Sequence, residues 1–391
     1  MKKKIIIVNN NMKVGGVQKS LYNLLWEIKD DYDVTLFLFE AIGAYMEKLP
    51  DEIRVIKCNS FFRFLGMSQD ECKYSSKDYL TRGVLSGIAK LFGRHVAMRI
   101  ILASQKNIDE EFDCAISFLH NGKLHQLYGG TNEFVLNKIK AKKKVAFLHC
   151  DYGNCGADNV HNNSLYKKFD VIAACSNGCR MAFLDILPEF KDKCCTVENF
   201  NRYDEIIELA NKKTIVYDDD VINLITVARL GREKAVERGI LALDFVLKNG
   251  CKANYHIVGD GRMLTELKQM VANLGLEKEV VFYGEQSNPY PYMARADLFL
   301  LTSYHEAAPM VLNEARCLNL PVLAVETISA NEMVAEKNSG WVCANDQDSL
   351  NKSLLWIMNN SYELMKKKED LHGLICNNDI ARQQFMSVVD C

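Results

Sequence analysis

Two glutamates, a basic pair and two adjacent glycines are the groups in this sequence that could do chemistry together. Glu306 and Glu314 flank Pro309 in a segment that follows an apolar run typical of a buried strand. Proline suits the first turn of a helix, where its missing N–H costs nothing. A helix start here would leave backbone amides unpaired and able to bind an anion. The residues of this predicted anion site are Ala307, Ala308, Pro309 and Met310.

The spacing of the two glutamates limits what they could bind. If Glu306 and Glu314 were both helical, a rise of 1.5 Å per residue would separate them by roughly 12 Å along the axis. That distance is too large for two carboxylates that share one proton. It suits hydroxyl groups on two different parts of one extended ligand.

The basic pair is predicted to bind phosphate. Arg229 and Lys234 lie in a loop directly after the strand-like run that ends at Ala228. An arginine fork and a lysine point charge suit a diphosphate, whose negative charge grows when it departs as a leaving group. Gly15 and Gly16, which follow the strand-like run Lys4–Asn9, lack Cβ atoms and would let backbone amides approach a phosphate or sugar closely.

Alternating strands and helices must position these residues. A strand, glycine loop, helix and strand occupy residues 4–39, and a similar alternation restarts at Asn223, which predicts parallel sheets. We expect two Rossmann-like, doubly wound α/β domains facing a cleft, at residues 1–205 and 221–391, joined by a linker at 206–220. The last helix could return to the first domain. Ligands of such sheets bind beyond the carboxyl ends of the strands, so the chemistry should face the cleft.

Composition excludes several classes of protein. The 391 residues are 48% hydrophobic and 25% charged, which suffices for two cores and excludes a disordered or fibrous chain. The formal net charge of −2 supplies no general field for nucleic-acid phosphates. Fourteen cysteines are spread thinly along the chain, and its start has no signal-peptide pattern. We therefore expect reduced thiols and a cytoplasmic location.

Residues 88–102 permit two interpretations. This stretch mixes Arg94 and Arg99 with apolar residues, and no uncharged run in the sequence reaches the eighteen or so residues that a membrane span needs. A buried helix with basic groups reaching solvent is favoured. The alternative is a helix on the inner membrane surface, which would make the protein a peripheral membrane protein.

Taken together, these motifs resemble the retaining glycosyltransferases of the GT-B fold, in the large family that builds bacterial capsules, lipopolysaccharides and glycolipids. The resemblance covers nearly the whole chain. It rests on Gly15–Gly16, the strand ending in Arg229 and Lys234, Val258-Gly259-Asp260-Gly261, Asn288-Pro289-Tyr290-Pro291-Tyr292 before Ala296–Leu300, and the glutamates at 306 and 314.

The resemblance implies a role for each residue. Arg229 and Lys234 would hold the nucleotide diphosphate, and Glu306 would bind hydroxyls of the donor sugar. Glu314 would bind the ribose, and the segment near Gly284 would contact the base. His149, after the strand that ends at Leu148, would reach the donor sugar. Two residues depart from the family pattern, because Ala307 and Ala235 replace common glycines.

The function implied is the transfer of a hexose from a nucleotide-diphosphate sugar, UDP-linked, to a saccharide or lipid-linked saccharide acceptor with retention of configuration. No metal or other cofactor is expected, since basic side chains and a helix end would neutralise the diphosphate. A nucleotide-sugar epimerase of the same fold and a catalytically inactive partner subunit are the alternatives. A dehydrogenase is disfavoured because Gly15–Gly16 lacks the third glycine of the dinucleotide fingerprint.

His149 has a second interpretation, as an ordinary histidine packed and hydrogen-bonded at a strand end. A zinc site made of His149, Cys150, Cys155 and His161 is disfavoured, because this spacing matches no common zinc pattern. Cys175 and Cys179 are expected to be small buried hydrophobic residues.

Overall fold

The computed structural model describes residues 2–58 and 61–390. The chain divides into two compact units, one formed by Met1–Phe200 with Asn378–Cys391 and the other by Asn201–Asn377. Residues 206–220, predicted as a linker, belong to the second unit in this division. The last helix belongs to the first unit.

The first unit contains a parallel sheet of seven strands, counted over the described residues, in the order β3-β2-β1-β4-β5-β6-β7. Its central strands end in segments buried on both faces, as expected where helices cover both sides of a parallel sheet. The strands are β1 (Lys4–Asn9), β2 (Asp33–Leu38), β3 (Arg54–Lys57), β4 (Glu111–Ser117), β5 (Lys140–Leu148), β6 (Val171–Ala174) and β7 (Cys194–Thr196).

Helices connect these strands and cover the sheet. The first of them buries Leu21, Leu24 and Leu25 against the core, which confirms the helical spacing of its apolar residues. The helices are α1 (Gly16–Ile28), α2 (Arg63–Gly66), α3 (Ser76–Phe92), α4 (Arg94–Ala103), α5 (Thr131–Lys138), α6 (Val160–Tyr166) and α7 (Asn177–Ile186).

The second unit contains a parallel sheet of six strands within the described part of the chain, in the order β10-β9-β8-β11-β12-β13. The strands are β8 (Ile222–Val227), β9 (Ala253–Val258), β10 (Val280–Gly284), β11 (Leu298–Leu301), β12 (Val322–Val325) and β13 (Gly340–Cys343). The helices are α8 (Tyr203–Ala210), α9 (Val236–Lys248), α10 (Leu264–Leu274), α11 (Tyr290–Arg295), α12 (Met310–Cys317), α13 (Gln347–Asn359) and α14 (Ser361–His372), followed in the first unit by α15 (Asp379–Asp390).

Both sheets confirm the predicted doubly wound α/β fold. In each sheet the strand order reverses direction at one strand, β1 in the first unit and β8 in the second. Ligands of doubly wound sheets bind beyond the carboxyl ends of the strands at this switch point. The Gly15–Gly16 pair follows β1, and Arg229 follows β8.

Residues 88–102 do not form the single helix that was predicted, although Arg99 is exposed as expected. Gly93, with φ +84°, separates α3 from α4. Arg94 is fully buried and donates to Glu133 Oε1 at 2.6 Å, so its charge is satisfied inside the protein and cannot face a lipid surface. None of the helices in residues 2–58 and 61–390 has the length and apolarity that a bilayer crossing requires.

Arg94 belongs to a buried polar network at the end of β4. Its guanidinium also donates to Asn121 Oδ1 at 3.1 Å, while Asn121 donates to Glu133 Oε2 at 3.0 Å. His161 Nε2 lies 3.0 Å from Glu133 Oε1. Burial disfavours the charged carboxylate, but Arg94 and the hydrogen bonds from His161 and Asn121 outweigh that cost and lower the pKa of Glu133 to about 2.

Glycines hold two loops of the second unit in close contact. Leu230 N donates to Asp260 O at 2.8 Å, and Ala228 N donates to Val258 O at 3.0 Å. Gly259 adopts φ +141°, and a Cβ at this position would lie 1.8 Å from the carbonyl oxygen of Ala228. The glycine is therefore required both by its conformation and by the close approach of the loop that carries Arg229.

We expect Glu133→Gln to lower the free energy of unfolding by about 3–5 kcal/mol, because it leaves the buried Arg94 without its counter-charge. The depressed pKa of Glu133 means that its contribution is complete above the ordinary glutamate pKa of about 4.3. That contribution is lost as the pH falls toward 2. Urea unfolding at several pH values measures both effects.

The matched control is Lys73→Ala, which removes one side of an exposed ion pair in the same unit and should change stability little. Equal stability of the wild-type protein and Glu133→Gln at pH 7 would contradict the role assigned to this network.

We expect Gly259→Ala to destabilise the second unit more than Gly275→Ala. Gly275 also has a positive φ, +71°, but a Cβ there would meet no atom within 4 Å. The control should show only the conformational cost, about 1–2 kcal/mol, whereas Gly259→Ala adds a clash with backbone. Equal losses in thermal unfolding would show that the close approach at Ala228 is unimportant.

Candidate active site

Two of the charged residues singled out in the sequence, Lys234 and Glu306, meet in the second unit, in the loops that follow β8 and β11. Lys234 Nζ donates to Glu306 Oε1 at 2.5 Å, and Ser303 Oγ donates to the same oxygen at 2.7 Å. The Lys234 and Glu306 side chains are 26% and 11% exposed. Because β8 and β11 are neighbours in the sheet, residues 72 positions apart in sequence form one charged pair.

Hydrogen bonds to backbone carbonyls join the two loops that carry this pair. Thr302 Oγ1 donates to the carbonyl of Lys234 at 3.1 Å, and Tyr304 N donates to the carbonyl of Glu233 at 2.9 Å. Buried Arg238, from α9, donates to the carbonyl of Thr302 at 3.3 Å and places its guanidinium over the Tyr304 ring. These contacts hold the loop after β8, which carries Lys234, against the loop after β11, which carries Glu306.

Arg229 lies beside this pair but has a different partner. Its side chain is 75% exposed and forms an ion pair with Glu233. Arg262, which the sequence analysis missed, lies with its guanidinium 3.8 Å from the other Glu233 oxygen. Its position directly after the glycine turn at residues 259–261 was the available signal. Three cations and two carboxylates here leave one net positive charge for an anion.

The backbone conformation at Ala235 is one that favours glycine, the residue that is common at this position in the resembled family. Ala235 adopts φ +48° and ψ +43° and is fully buried. This left-handed conformation costs an L-residue energy that glycine does not incur. The strain is located between Lys234 and the first residue of α9, where the chain turns from the loop that carries Lys234 into the helix.

Helix α12 begins at Met310, with Pro309 as its N-terminal cap, one residue after the predicted start. Glu314 lies within this helix and is 4% exposed. Ala307, Ala308 and Glu314 all have interaction partners. Binding of an anion by the amides at residues 307–310 stays a prediction.

The predicted glycines differ in how much the backbone needs them. Gly284 ends β10 with φ +67°, and a Cβ there would meet no atom within 4 Å. Gly15 is extended, and a Cβ on Gly16 would also meet nothing within 4 Å. The backbone conformation thus requires glycine at 284 but not at 15 or 16, where close approach of a ligand stays a prediction.

His149 follows β5 in the first unit and packs against two aromatic rings. Its ring centroid lies 4.6 Å from that of Phe118 and 5.7 Å from that of Phe147. Its Nε2 atom is buried with no hydrogen-bond partner among the described residues. Burial lowers the pKa of His149 to about 3, so the imidazole is neutral at pH 7. The ring is packed at a strand end, as one interpretation predicted, but its Nε2 atom lacks the hydrogen bond that this interpretation included.

The four residues considered as a zinc site in the sequence, His149, Cys150, Cys155 and His161, do not come together as one group in the described structure. His161 is bound to Glu133, and a different histidine approaches the thiols. One ring nitrogen of His120 and the Sγ atoms of Cys150 and Cys155 all lie within 4.8 Å of one another. Sequence spacing gave no sign of His120, because it reaches the cysteines from the neighbouring strand.

Sequence comparison identifies the family of the second unit. Residues 208–371 match the model of the family described as glycosyl transferases group 1, and this segment includes Arg229, Lys234, Glu306 and Glu314. The chain is 28% identical to N-acetyl-alpha-D-glucosaminyl L-malate synthase of Bacillus anthracis over 210 residues, which are 51% of this chain and 54% of that protein.

A second relative is the N-acetylgalactosamine-N,N'-diacetylbacillosaminyl-diphospho-undecaprenol 4-alpha-N-acetylgalactosaminyltransferase of Campylobacter jejuni. It is 26% identical over 251 residues, which are 63% of this chain and 66% of that protein. The chain thus spans about half to two thirds of the length of these two relatives.

Solved structures match over nearly the whole chain. HepE of Anabaena, crystallised with UDP and glucose, has a TM-score of 0.64 at 17% identity and covers 99% of this chain and 97% of its own. A TarM variant of S. aureus, crystallised with fondaparinux, alpha-GlcNAc-glycerol and UDP, has a TM-score of 0.67 at 14% identity and covers 100% of both chains. At these identities the likeness establishes the fold. The chain has the GT-B fold, and its residues 208–371 belong to the glycosyl transferases group 1 family.

Proposed function

We propose that this protein transfers a hexose from a nucleotide-diphosphate sugar, with UDP as the nucleotide, to a saccharide or lipid-linked saccharide acceptor in the synthesis of a bacterial surface polysaccharide. The configuration at the transferred carbon would be retained. The observation that carries the proposal is the Lys234–Glu306 pair at the switch point of the second sheet. The names of the relatives from Bacillus and Campylobacter, which describe sugar transfer, support it.

Lys234 is suited to oppose the charge of a departing diphosphate. Its ammonium has three donors, and the hydrogen bond to Glu306 uses one of them, so two can reach phosphate oxygens. A cation held in place before the reaction needs no reorganisation when negative charge develops. The start of α12, at residues 307–310, would add its dipole to the same end of the sheet.

Arg229 would supply a second, movable cation. Its ion pair with Glu233 is mostly exposed, so exchanging that partner for a phosphate costs little. The guanidinium could then bind the diphosphate through two parallel N–H groups. With Lys234 and Arg262 nearby, the diphosphate would need no divalent metal.

The remaining contacts follow the polarity of each group. Oε1 of Glu306 is engaged by Lys234 and Ser303, so Oε2 would accept hydrogen bonds from donor-sugar hydroxyls. Glu314 would accept from the ribose hydroxyls, and the open turn at Gly284 would admit the base. In the first unit, neutral His149 would contact the sugar, and the amides at residues 15–16 a phosphate or the sugar.

The proposed chemistry is a front-face exchange. The bond between the sugar carbon and the leaving phosphate oxygen breaks while a bond to the acceptor oxygen forms on the same face. The acceptor proton passes to the departing phosphate oxygen, and Lys234 and Arg229 stabilise the charge that remains.

The decisive experiment follows the donor by NMR with a panel of UDP-sugars, each with and without saccharide acceptors. We expect an α-linked product from an α-linked donor, formed only when acceptor is present. A β-linked product would refute retention. Rearrangement of the donor without acceptor would identify an epimerase, and donor binding without turnover under any acceptor would identify an inactive subunit.

We expect Lys234→Ala and Arg229→Ala each to reduce kcat by about 100-fold or more, because each removes a cation that would oppose the developing charge. Lys248→Ala is the matched control, since Lys248 is an exposed lysine of the same unit paired with Asp244. Steady-state kinetics measure the effect. Unchanged turnover in both site variants would remove the proposed diphosphate role.

We expect Glu314→Gln to weaken UDP binding by roughly tenfold or more, the cost of losing a hydrogen bond to a charged acceptor. Glu266→Gln, an exposed glutamate of the same unit, should leave affinity unchanged. Calorimetric titration with UDP and with uridine separates the nucleoside contact from the phosphate contacts. Equal affinity of wild type and Glu314→Gln for both compounds would refute the ribose assignment.

A further inference from the structure

Three side chains that can bind a metal, and that the proposed transfer does not use, lie together at one edge of the first sheet. His120 lies three residues beyond the end of β4, and Cys150 lies two residues beyond the end of β5. Strands β4 and β5 are parallel neighbours. Their carboxyl ends therefore bring an imidazole and a thiol together from different loops.

A tight turn returns the second thiol to the first. Cys155 N donates to the carbonyl of Asp151 at 2.9 Å, and Asn154 N donates to the Asp151 carboxylate at 3.3 Å. Gly156, at φ +72°, then redirects the chain. The backbone of this turn holds Cys155 close to Cys150 and His120 without any disulfide.

The spacing of the three groups is close to that of a metal centre. Their ligand atoms lie within 4.8 Å of one another. Zinc binds sulfur at about 2.3 Å and histidine nitrogen at about 2.0–2.1 Å, so tetrahedral ligand atoms are about 3.5–3.8 Å apart. A contraction of at most about 1 Å in the widest pair would complete the geometry.

An independent observation points to a missing ligand. His120 Nδ1 is buried and has no hydrogen-bond partner among the described residues, and leaving such an atom unsatisfied is costly. The neighbouring thiol of Cys179 is already used, since it donates to the carbonyls of Cys150 at 3.2 Å and Leu148 at 3.6 Å. Cys155 makes a long contact, 3.6 Å to the carbonyl of Tyr152, and its thiol also interacts with that of Cys150, the second proposed sulfur ligand.

We propose that His120, Cys150 and Cys155 form a zinc site. Two sulfurs and one imidazole nitrogen suit this borderline-soft cation, and three protein ligands leave the fourth position to water. Binding would release the two thiol protons to solvent, so that two thiolates balance the charge of Zn²⁺. The ion would join the loop after β4 to the turn at residues 151–155, directly beside His149.

The test measures zinc bound to the full-length protein. We expect one equivalent of zinc after growth in zinc-containing medium, measured by plasma mass spectrometry. After chelation under reducing conditions, Co²⁺ should produce a sulfur-to-metal charge-transfer band, and Zn²⁺ should displace it. Zinc should also raise the Tm of the chelated protein, because a ligand of the native state alone stabilises it.

Variants locate the site. Cys155→Ser and His120→Gln should each lower zinc affinity by more than about 100-fold, since even the loss of outer-shell partners costs 10–100-fold. Cys195→Ser, a half-buried thiol of the same unit, should keep full affinity. Circular dichroism and Tm of the chelated proteins, equal to those of chelated wild type, show that lost binding is not lost folding.

Three results would overturn the proposal. One is zinc below a tenth of an equivalent in both the isolated and the reconstituted protein. Another is unchanged affinity in both Cys155→Ser and His120→Gln. The third is a Cys150–Cys155 disulfide, found by thiol trapping in intact cells, that persists without bound metal.

Discussion

The ion pair between Lys234 and Glu306 is the interaction on which the candidate active site depends. It joins loops that follow β8 and β11, and both side chains are largely withdrawn from solvent. Because neither charge is fully solvated, each would be costly to leave alone. The pair therefore fixes the ammonium in one place before any ligand arrives, and the hydrogen bonds of Thr302 and Ser303 tighten the same arrangement.

The first unit also contains an ion pair that joins distant residues, and this pair is more deeply buried than Lys234–Glu306. Arg94 and Glu133 are fully or almost fully buried, and they order the loop after β4 from within, through Asn121. This loop carries His120, which places an imidazole beside the turn that follows β5. A structural ion pair and a proposed metal site thus act on one loop, and His149 lies at the same edge of the sheet.

Much of the fold could be predicted because parallel strands buried on both faces are continuous apolar runs. The predicted run Lys4–Asn9 matches β1, and the run at residues 223–228 is β8 displaced by one residue. The outer strands β3, β7 and β13 were missed. They are three or four residues long and only partly buried, and β3 begins with Arg54 and ends with Lys57, so neither length nor alternation distinguished them from loops.

The sequence by itself determined the types of residue at each strand end and the order of strands and helices, since these follow from local periodicity and from glycine and proline positions. Only the tertiary structure decided which of those residues meet. It paired Arg229 with Glu233, buried Arg94 inside a network, and chose His120 over His161 as the neighbour of Cys150. The physical reason is that such contacts depend on which strands are adjacent, and no local pattern encodes adjacency.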